Sequence, residues 1–577
     1  MNQKSTIFTL SVTALGILTM VFILFFNYAR RNADNNRSTE ITEGLDLNFS
    51  ELPDTDISLI DDSASRSPFA SSALDALRKL LAALAADSSA LRNEVILRFT
   101  DETEYDVFLN TLADRNLSLL GSSDRFMTMR IGFERYGDLF GELANLDPSA
   151  YEVETNFLVS LPGQPGTGDS PGAGEGAIPF GRDALKFIGI GEGNLEFGKG
   201  IKVAVIDSGI QEHETFSEKN ILEYDLVRDA NGNLVPIDSN NGHGTAVASI
   251  IAGSDPRYLG VAPAAEILSY RVLDNDGYSD SYTLAEAIIQ AADSGADIIN
   301  ISLGSKGDSG IVRRAVDYAN DAGVLIVAAT GNEGANSISF PAAIDGVVAV
   351  AANDALGQHV DFANSGNNLQ DGGITAPGYA VWAAWPEGEA VSFSGTSASA
   401  PFVSGAVAAV MSENQGMSAL SAYELLQNYS NEAGAPGNDI VYGTGNLNLG
   451  RVLERNVPNI TDAGIASYYY DPASAELGGQ LNTAQVVIEN RGTAALHNLT
   501  VQVKSGSAER TYNVSFIPVG EIAVIETPAG FSSGVTEEGG LPVSATVIVN
   551  QNLNGQDRDV SDNSLSKNIE LNSSKQP

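Results

Sequence analysis

The stretch IKVAVIDSG, residues 201–209, is an apolar, β-branched run that stops at Asp207. Three later runs, ADIINIS, GVLIVAATGN and GVVAVAAND, are built in the same way and also stop at a polar residue. Each run is too apolar for a half-exposed strand, and helical stretches separate them, as in a parallel sheet wound with helices. The sequence therefore predicts a doubly wound, mostly parallel α/β domain over residues 177–455.

Polar residues at the ends of these runs indicate a shared site. In open α/β sheets, ligands bind beyond the carboxyl ends of the strands. Asp207, Ser302 and Asn332 all stand at such ends. Asp207 taken alone suits a capping residue, a metal ligand or the orienting carboxylate of a catalytic triad.

One of the chain's histidines stands in an unusual setting. His213 lies in a charged loop, His359 follows a turn and His497 belongs to the last domain. His243 instead lies between two glycines in NGHGTAVAS, just before a predicted helix. Bare backbone on either side lets a substrate come close. His243 is therefore the candidate general base.

The stretch FSGTSASAPFVSGA, residues 393–406, places Ser397 where a tight turn meets a helix with small side chains. Amides at a helix start favour the negative charge that develops when a hydroxyl attacks a carbonyl. Pro401 is predicted to lie in or near the first turn, where proline is tolerated. A capped core helix, packed closely through small residues, explains this stretch equally well on its own.

Taken together, VAVIDSGI, NGHGTAVAS, INISLGS, AATGNEG and FSGTSASAPFVSGA resemble the motifs of subtilisin-like serine proteases, the subtilases, across residues 177–455. The resemblance implies that Asp207 orients His243, and that His243 transfers the proton while Ser397 attacks the scissile carbonyl. It also implies an oxyanion hole formed by the Asn332 side chain and the Ser397 backbone N–H.

The resemblance further implies an edge strand that pairs with an extended substrate, and a primary pocket with two walls. Backbone pairing gives affinity with little sequence discrimination, so broad specificity is expected. Glu333 beside the pocket would either select a basic side chain or face water. The implied substrate-binding residues are Asp276, Gly277 and Tyr278 on the edge strand, and Ser302, Leu303, Gly304, Ala329, Thr330 and Gly331 on the walls.

The implied activity is that of a serine endopeptidase, which hydrolyses proteins or peptides through an acyl-enzyme. The alternative is a catalytically retired adhesion or scaffold protein at the cell surface. The chemistry requires no cofactor. Structural calcium is common in the family, but the sequence assigns no ligands to it, and the acidic stretch DANGNLV favours a plain hairpin turn.

Composition excludes several classes of function. The 577 residues carry a formal net charge of −41, which repels phosphate backbones, so no nucleic-acid partner is expected. The chain has no cysteine, which excludes disulfides, thiol catalysis and thiolate metal sites.

Residues 1–30 hold an apolar run long enough to cross a bilayer, with no clear cleavage site after it. A membrane anchor is the favoured interpretation, and a cleaved signal segment is the alternative. Residues 31–90 are expected to form an acidic stalk that ends in a short helix, SALDALRKLLAALAAD. An exported protein is expected, either anchored by the N-terminal helix or secreted after processing.

Two smaller domains flank the predicted α/β domain. Residues 91–162 show a βαββαβ order of ferredoxin-like type, followed by a Gly/Pro-rich linker at 163–176. By the resemblance, this domain is an inhibitory propeptide that is released by self-cleavage between residues 160 and 177. Residues 456–577 predict a small β-sandwich that resembles immunoglobulin-like (CARDB-type) adhesion modules. Its role, as a structural cap or as a substrate- or surface-binding module, stays open.

Overall fold

The computed structural model of the chain describes residues 68–570, except for 113–114, 167–169, 192–193, 220, 230–232, 239–240, 471–482, 506–507 and 529–539. The predicted membrane segment at residues 1–30 and the stalk up to residue 67 lie outside the described residues. Within the described ranges, no helix combines the length and apolarity that a membrane span requires. From Asp75 onward the described residues form one compact unit.

The N-terminal part begins with helix α1 (Pro68–Ala86), which contains the predicted leucine-rich helix. An α+β layer follows, with strands in the antiparallel order β2-β3-β1-β4. Val95, Leu97 and Phe108 are buried within it. Its elements are β1 (Ala90–Phe99), α2 (Glu102–Thr111), β2 (Leu117–Ser123), β3 (Thr128–Phe133), α3 (Tyr136–Leu143) and β4 (Tyr151–Ser160).

A seven-stranded sheet forms the centre of the molecule, in the order β12-β11-β10-β9-β5-β7-β6, and each of its pairings is parallel. This confirms the predicted parallel α/β fold. The strands are β5 (Lys202–Asp207), β6 (Leu222–Asp225), β7 (Glu266–Arg271), β9 (Ile298–Ile301), β10 (Leu325–Ala329), β11 (Val347–Asn353) and β12 (Ile374–Pro377). The short β8 (Tyr278–Asp280) lies outside this sheet and pairs with β4.

Successive side chains of a strand point to opposite faces of the sheet, so these apolar strands present apolar groups on both faces. Helices cover both faces. Val203 and Val205 of β5 pack on one face with α5 (His243–Ala252) and α9 (Thr396–Glu413). Ala204 and Ile206 pack on the other face with α6 (Ser281–Asp293) and α7 (Gly310–Asp321). The remaining elements of this domain are α4 (Ala184–Phe187), α8 (Asn367–Gln370), the hairpin β13 (Val381–Trp385) and β14 (Glu389–Phe393), α10 (Ala419–Asn428) and α11 (Leu449–Glu454).

The C-terminal region is rich in β-strands arranged in two antiparallel sheets, β15-β16-β19 and β18-β17-β20-β21. Tyr468, Val486, Val501 and Val547 belong to one hydrophobic core shared by both sheets. The elements are β15 (Ala463–Tyr470), β16 (Thr483–Asn490), β17 (Leu496–Ser505), β18 (Ala508–Ile517), β19 (Ile522–Pro528), β20 (Gly540–Ile548), α12 (Gln551–Asn554) and β21 (Ser564–Glu570).

Candidate active site

The end of β5 and the start of α5 bring Asp207 and His243 into contact. The His243 Nδ1 atom lies 2.8 Å from Asp207 Oδ1 and 3.0 Å from Oδ2. An ionised carboxylate only accepts, so Nδ1 carries the proton and donates it. The carboxylate is fully buried and also accepts from the Ser208 N–H at 2.7 Å. The Phe393 ring packs edge-on against the imidazole at 5.1 Å between centroids.

Ser397 is the second residue of α9 and is 3 % exposed. Gly395 precedes the helix with φ +135°, a conformation that disfavours side chains, and a Cβ there would lie 2.8 Å from Asn332 Nδ2. The Ser397 hydroxyl donates to the Ser302 carbonyl at 3.1 Å. No hydrogen bond joins the Ser397 hydroxyl to the His243 ring, and both residues belong to the described part of the chain.

Asn332 follows β10, and its amide group is oriented by Thr396. The Asn332 Oδ1 atom accepts from the Thr396 N–H at 2.9 Å and from the Thr396 hydroxyl at 3.0 Å. With Oδ1 held in this way, Nδ2 points in the opposite direction and donates to the Gly163 carbonyl at 3.0 Å. The sequence analysis missed Thr396, although its place beside Ser397 in GTSAS was the available signal.

The predicted edge strand and one predicted pocket wall hold a peptide segment that belongs to the chain itself. Ser160 exchanges two hydrogen bonds with Gly304, both at 2.9 Å, and the Leu161 N–H donates to the Gly277 carbonyl at 3.2 Å. One residue earlier, Val159 is paired antiparallel with Ser279 of β8. The end of β4 therefore runs extended between the predicted edge strand and the pocket wall at Gly304, and the chain then continues to the Asn332 amide.

The other predicted substrate-binding residues differ in their burial and in their hydrogen bonds. Ser302, Leu303, Ala329 and Thr330 have at most 2 % of their surface exposed, and Asp276 is an exposed residue of the turn before β8. Tyr278 pairs with Ser160. Gly331 donates its N–H to the Thr396 hydroxyl at 3.1 Å.

Glu333, predicted either to select a basic side chain or to face water, is half-buried and hydrogen-bonded to Asn364. Its Oε2 accepts from Asn364 Nδ2 at 2.7 Å, and its backbone N–H donates to Asn364 Oδ1 at 3.1 Å. This carboxylate oxygen therefore has a side-chain amide as its partner, and the choice between the two predicted roles stays open.

The remaining histidines have structural partners. His213 accepts from the Thr215 N–H at 3.1 Å as a helix cap. Burial lowers the pKa of His359 to about 4, so this ring is neutral at physiological pH. His497 packs on Phe516 at 5.1 Å between ring centroids.

No group of three or more His, Cys, Asp or Glu suited to a metal ion occurs in the part of the chain that the structure describes. The stretch from Asp229, interpreted as a hairpin turn, is flanked by an antiparallel bridge between Arg228 and Leu234. Asp229 Oδ1 accepts from the Asn233 N–H at 2.8 Å, and residues 230–232 between them lie outside the described residues.

Comparison with known proteins shows what this chain is similar to. The sequence profile of the Subtilase family matches residues 198–445. The thermostable alkaline protease of Halalkalibacterium halodurans is 35% identical over 316 residues, which are 53% of this chain and 79% of that protein. Subtilisin BL of Lederbergia lenta is 36% identical over 257 residues, which are 44% of this chain and 90% of that protein. Among solved structures, the protease domain of PatA matches with a TM-score of 0.42 at 30% identity, covering 45% of this chain and 96% of that domain.

Proposed function

Since this chain belongs to the subtilase family of subtilisin-like serine proteases, we propose that it is a serine endopeptidase that cleaves proteins through an acyl-enzyme. Asp207, His243 and Ser397 are the proposed catalytic triad. The observation that carries this proposal is the buried Asp207–His243 hydrogen bond at 2.8 Å, made by residues from two separate segments. That bond fixes the tautomer in which Nε2 is the basic nitrogen, as a general base requires.

In the proposed mechanism, the Ser397 oxygen attacks the scissile carbonyl carbon while His243 Nε2 takes the hydroxyl proton. The imidazolium then gives this proton to the leaving amine as the peptide bond breaks, and the acyl group stays on Ser397. After the amine product leaves, a water molecule gives a proton to His243 as its oxygen bonds to the acyl carbon. The bond from that carbon to Ser397 Oγ then breaks, His243 returns the proton to Oγ, and the acid product leaves. Buried Asp207 stabilises the imidazolium at each step without being protonated itself.

The Asn332 amide is the proposed oxyanion donor, together with the Ser397 backbone N–H. Its position beyond the end of β10 and its orientation by Thr396 support this role, because a preorganised donor needs no rearrangement as charge develops. Its contact with the Gly163 carbonyl indicates where a substrate carbonyl would bind. Removal of one such donor costs about 10²–10³ in kcat, a magnitude measured on subtilisin itself.

Residues 91–162 are proposed to be a ferredoxin-like propeptide that blocks the site as an intramolecular inhibitor, and the β4–β8 pairing supports this proposal. Because the Gly163 carbonyl meets Asn332, we place the self-cleaved bond between Gly163 and Gln164, at the start of the predicted linker. Export, anchoring through residues 1–30 before processing, and an immunoglobulin-like module at 456–577 complete the proposed organisation. Structural calcium stays a proposal without assigned ligands.

A direct experiment compares the wild type with Ser397→Ala by intact mass, reaction with a fluorophosphonate probe and casein hydrolysis. The wild type should be cut after Gly163, react with the probe and hydrolyse casein, whereas Ser397→Ala should stay full length and do neither. Ser412→Ala, a serine in the last turns of the same helix, is the matched control and should behave as the wild type. A wild type that stays intact and unreactive would favour the retired scaffold instead.

A further inference from the structure

Pro401, predicted to lie in or near the first turn, is the sixth residue of helix α9 and stands just past that turn. Proline has no backbone N–H, so the carbonyl four residues earlier loses its partner within the helix. That carbonyl belongs to Ser397. A buried carbonyl without a hydrogen bond is costly, so it requires a donor from elsewhere.

The donor is the side chain of Ser302, the residue that follows β9. The Ser302 hydroxyl donates to the Ser397 carbonyl at 3.1 Å. In return, the Ser397 hydroxyl donates to the Ser302 carbonyl at 3.1 Å. The end of the strand and the start of the helix are therefore joined by two hydrogen bonds in a region where Ser302 has no exposed surface.

Two further side chains fix the Ser302 hydroxyl. Asn300 Nδ2 donates to Ser302 Oγ at 3.0 Å, and the Ser404 hydroxyl donates to Asn300 Oδ1 at 2.9 Å. All three side chains are fully buried. Ser404 lies on α9, seven residues after Ser397. The chain of hydrogen bonds therefore starts on helix α9 at Ser404, passes through Asn300 and Ser302, and returns to the helix at Ser397.

We propose that Asn300, Ser302 and Ser404 form a buried relay that positions Ser397 for attack, and that Pro401 keeps the Ser397 carbonyl available to it. These are positioning residues, since they act through Ser397. The relay prevents α9 from sliding along β9 or rotating against it, because each of its hydrogen bonds depends on distance and direction. This inference rests on the proposed function, in which Ser397 is the nucleophile.

The kinetic test uses Ser302→Ala and Ser404→Ala, with kcat and KM measured on a peptide substrate and the second-order rate measured with a fluorophosphonate probe. A misplaced nucleophile lowers the rate of the chemical step, so kcat and the probe rate should each fall about 10-fold. Ser404 lies within the core, away from the residues that contact the end of β4. The Ser404→Ala variant should therefore keep KM within about twofold of the wild type. Ser412→Ala is again the matched control.

A rescue separates positioning from general loss of packing. Pro401→Ala supplies the missing N–H, so in the Ser302→Ala background it gives the Ser397 carbonyl a partner inside the helix. The double variant should unfold at a higher temperature than Ser302→Ala and recover part of the probe rate. In the wild-type background, Pro401→Ala should raise neither the unfolding temperature nor the probe rate, because the Ser397 carbonyl already accepts from Ser302.

Folded Ser302→Ala and Ser404→Ala proteins with kcat within about twofold of the wild type would overturn the relay. An equal effect of Pro401→Ala on Tm in both backgrounds would also overturn it, and this readout does not depend on activity. A wild type that does not react with the probe would instead overturn the proposed function, and the positioning role with it.

Discussion

Arg451 Nη1 lies 2.5 Å from Glu489 Oε1, and this ion pair joins helix α11 to strand β16 of the C-terminal region. Both side chains are buried, with 5% of Arg451 and 4% of Glu489 exposed. Arg491 adds a second bond to the same carboxylate, from its Nε to Glu489 Oε2 at 3.0 Å. The carboxylate of Glu489 therefore balances two buried guanidinium groups at the junction between the two parts of the chain.

Glu489→Gln should weaken this junction, because buried Arg451 loses the carboxylate it pairs with, while Arg491 keeps only its pair with Asp562 at 2.6 Å. Breaking a buried pair by removing one partner costs about 3–5 kcal/mol. We expect a lower Tm in calorimetry and faster protease cleavage between residues 455 and 463. Glu509→Gln is the matched control, since its pair with Lys504 spans 3.6 Å with side chains 44% and 55% exposed. Equal stability of the two variants would contradict the prediction.

Thr396→Val should slow catalysis without loosening substrate binding. The change removes the hydroxyl that donates to Asn332 Oδ1 and accepts from the Gly331 N–H, so the oxyanion amide loses part of its orientation. A fall in kcat of about 10-fold is expected, the equivalent of one hydrogen bond. Thr375→Val removes a buried hydroxyl that donates to the Tyr442 carbonyl, and it should leave kcat unchanged. Similar kcat values for the two variants would refute the assignment.

Arg130→Gln should speed release of the proposed propeptide. Arg130 lies 2.7 Å from Asp280, whose side chain is 8% exposed and caps helix α6. Loss of the guanidinium leaves this carboxylate buried at the interface without its cation, which weakens binding by about 2–5 kcal/mol. The lag before activity appears, measured after processing of the full chain, should shorten. Arg98→Gln, which breaks a pair with Glu152 inside the same domain, should keep the lag of the wild type.

The junction should also lose stability as the pH rises. Burial, together with the Glu489 carboxylate, raises the pKa of Glu432 from 4.5 to about 8. The folded state therefore holds a proton that the unfolded state releases, so this contribution is complete below pH 4.5 and is lost as the pH rises through about 8. Wild-type Tm should fall by several degrees across that window, and Glu432→Gln should flatten the fall. The exposed Glu424 gives a control variant, Glu424→Gln, which should retain the wild-type slope.

The central sheet could be predicted from sequence because its signal is local. Apolar runs such as IKVAVID are long enough to define a buried strand, and their polar ends mark one edge of a parallel sheet. The contact of Asp207 with His243 follows from the same logic, since each residue stands at the end or the start of a regular element.

The details that the sequence did not reveal depend on register between distant segments. Helix α9 begins at Thr396, one residue before the start that the sequence indicated, so Pro401 stands just past the first turn. Ser404 gave no sign of its bond to Asn300, because serine in a helix core is indistinguishable by pattern from a small packing residue. The place of Gly163 beside Asn332 required the path of a linker with no periodicity at all.

The segment held between Gly304 and Gly277 is covalently part of the molecule that binds it. Its local concentration near the cleft is therefore set by tether length and geometry, commonly in the millimolar range, whatever the amount of protein in solution. Diluting the intact chain cannot empty the cleft, and a competing peptide must match that tethered concentration to enter. Only severing the tether turns this unimolecular equilibrium into one that dilution and diffusion can shift.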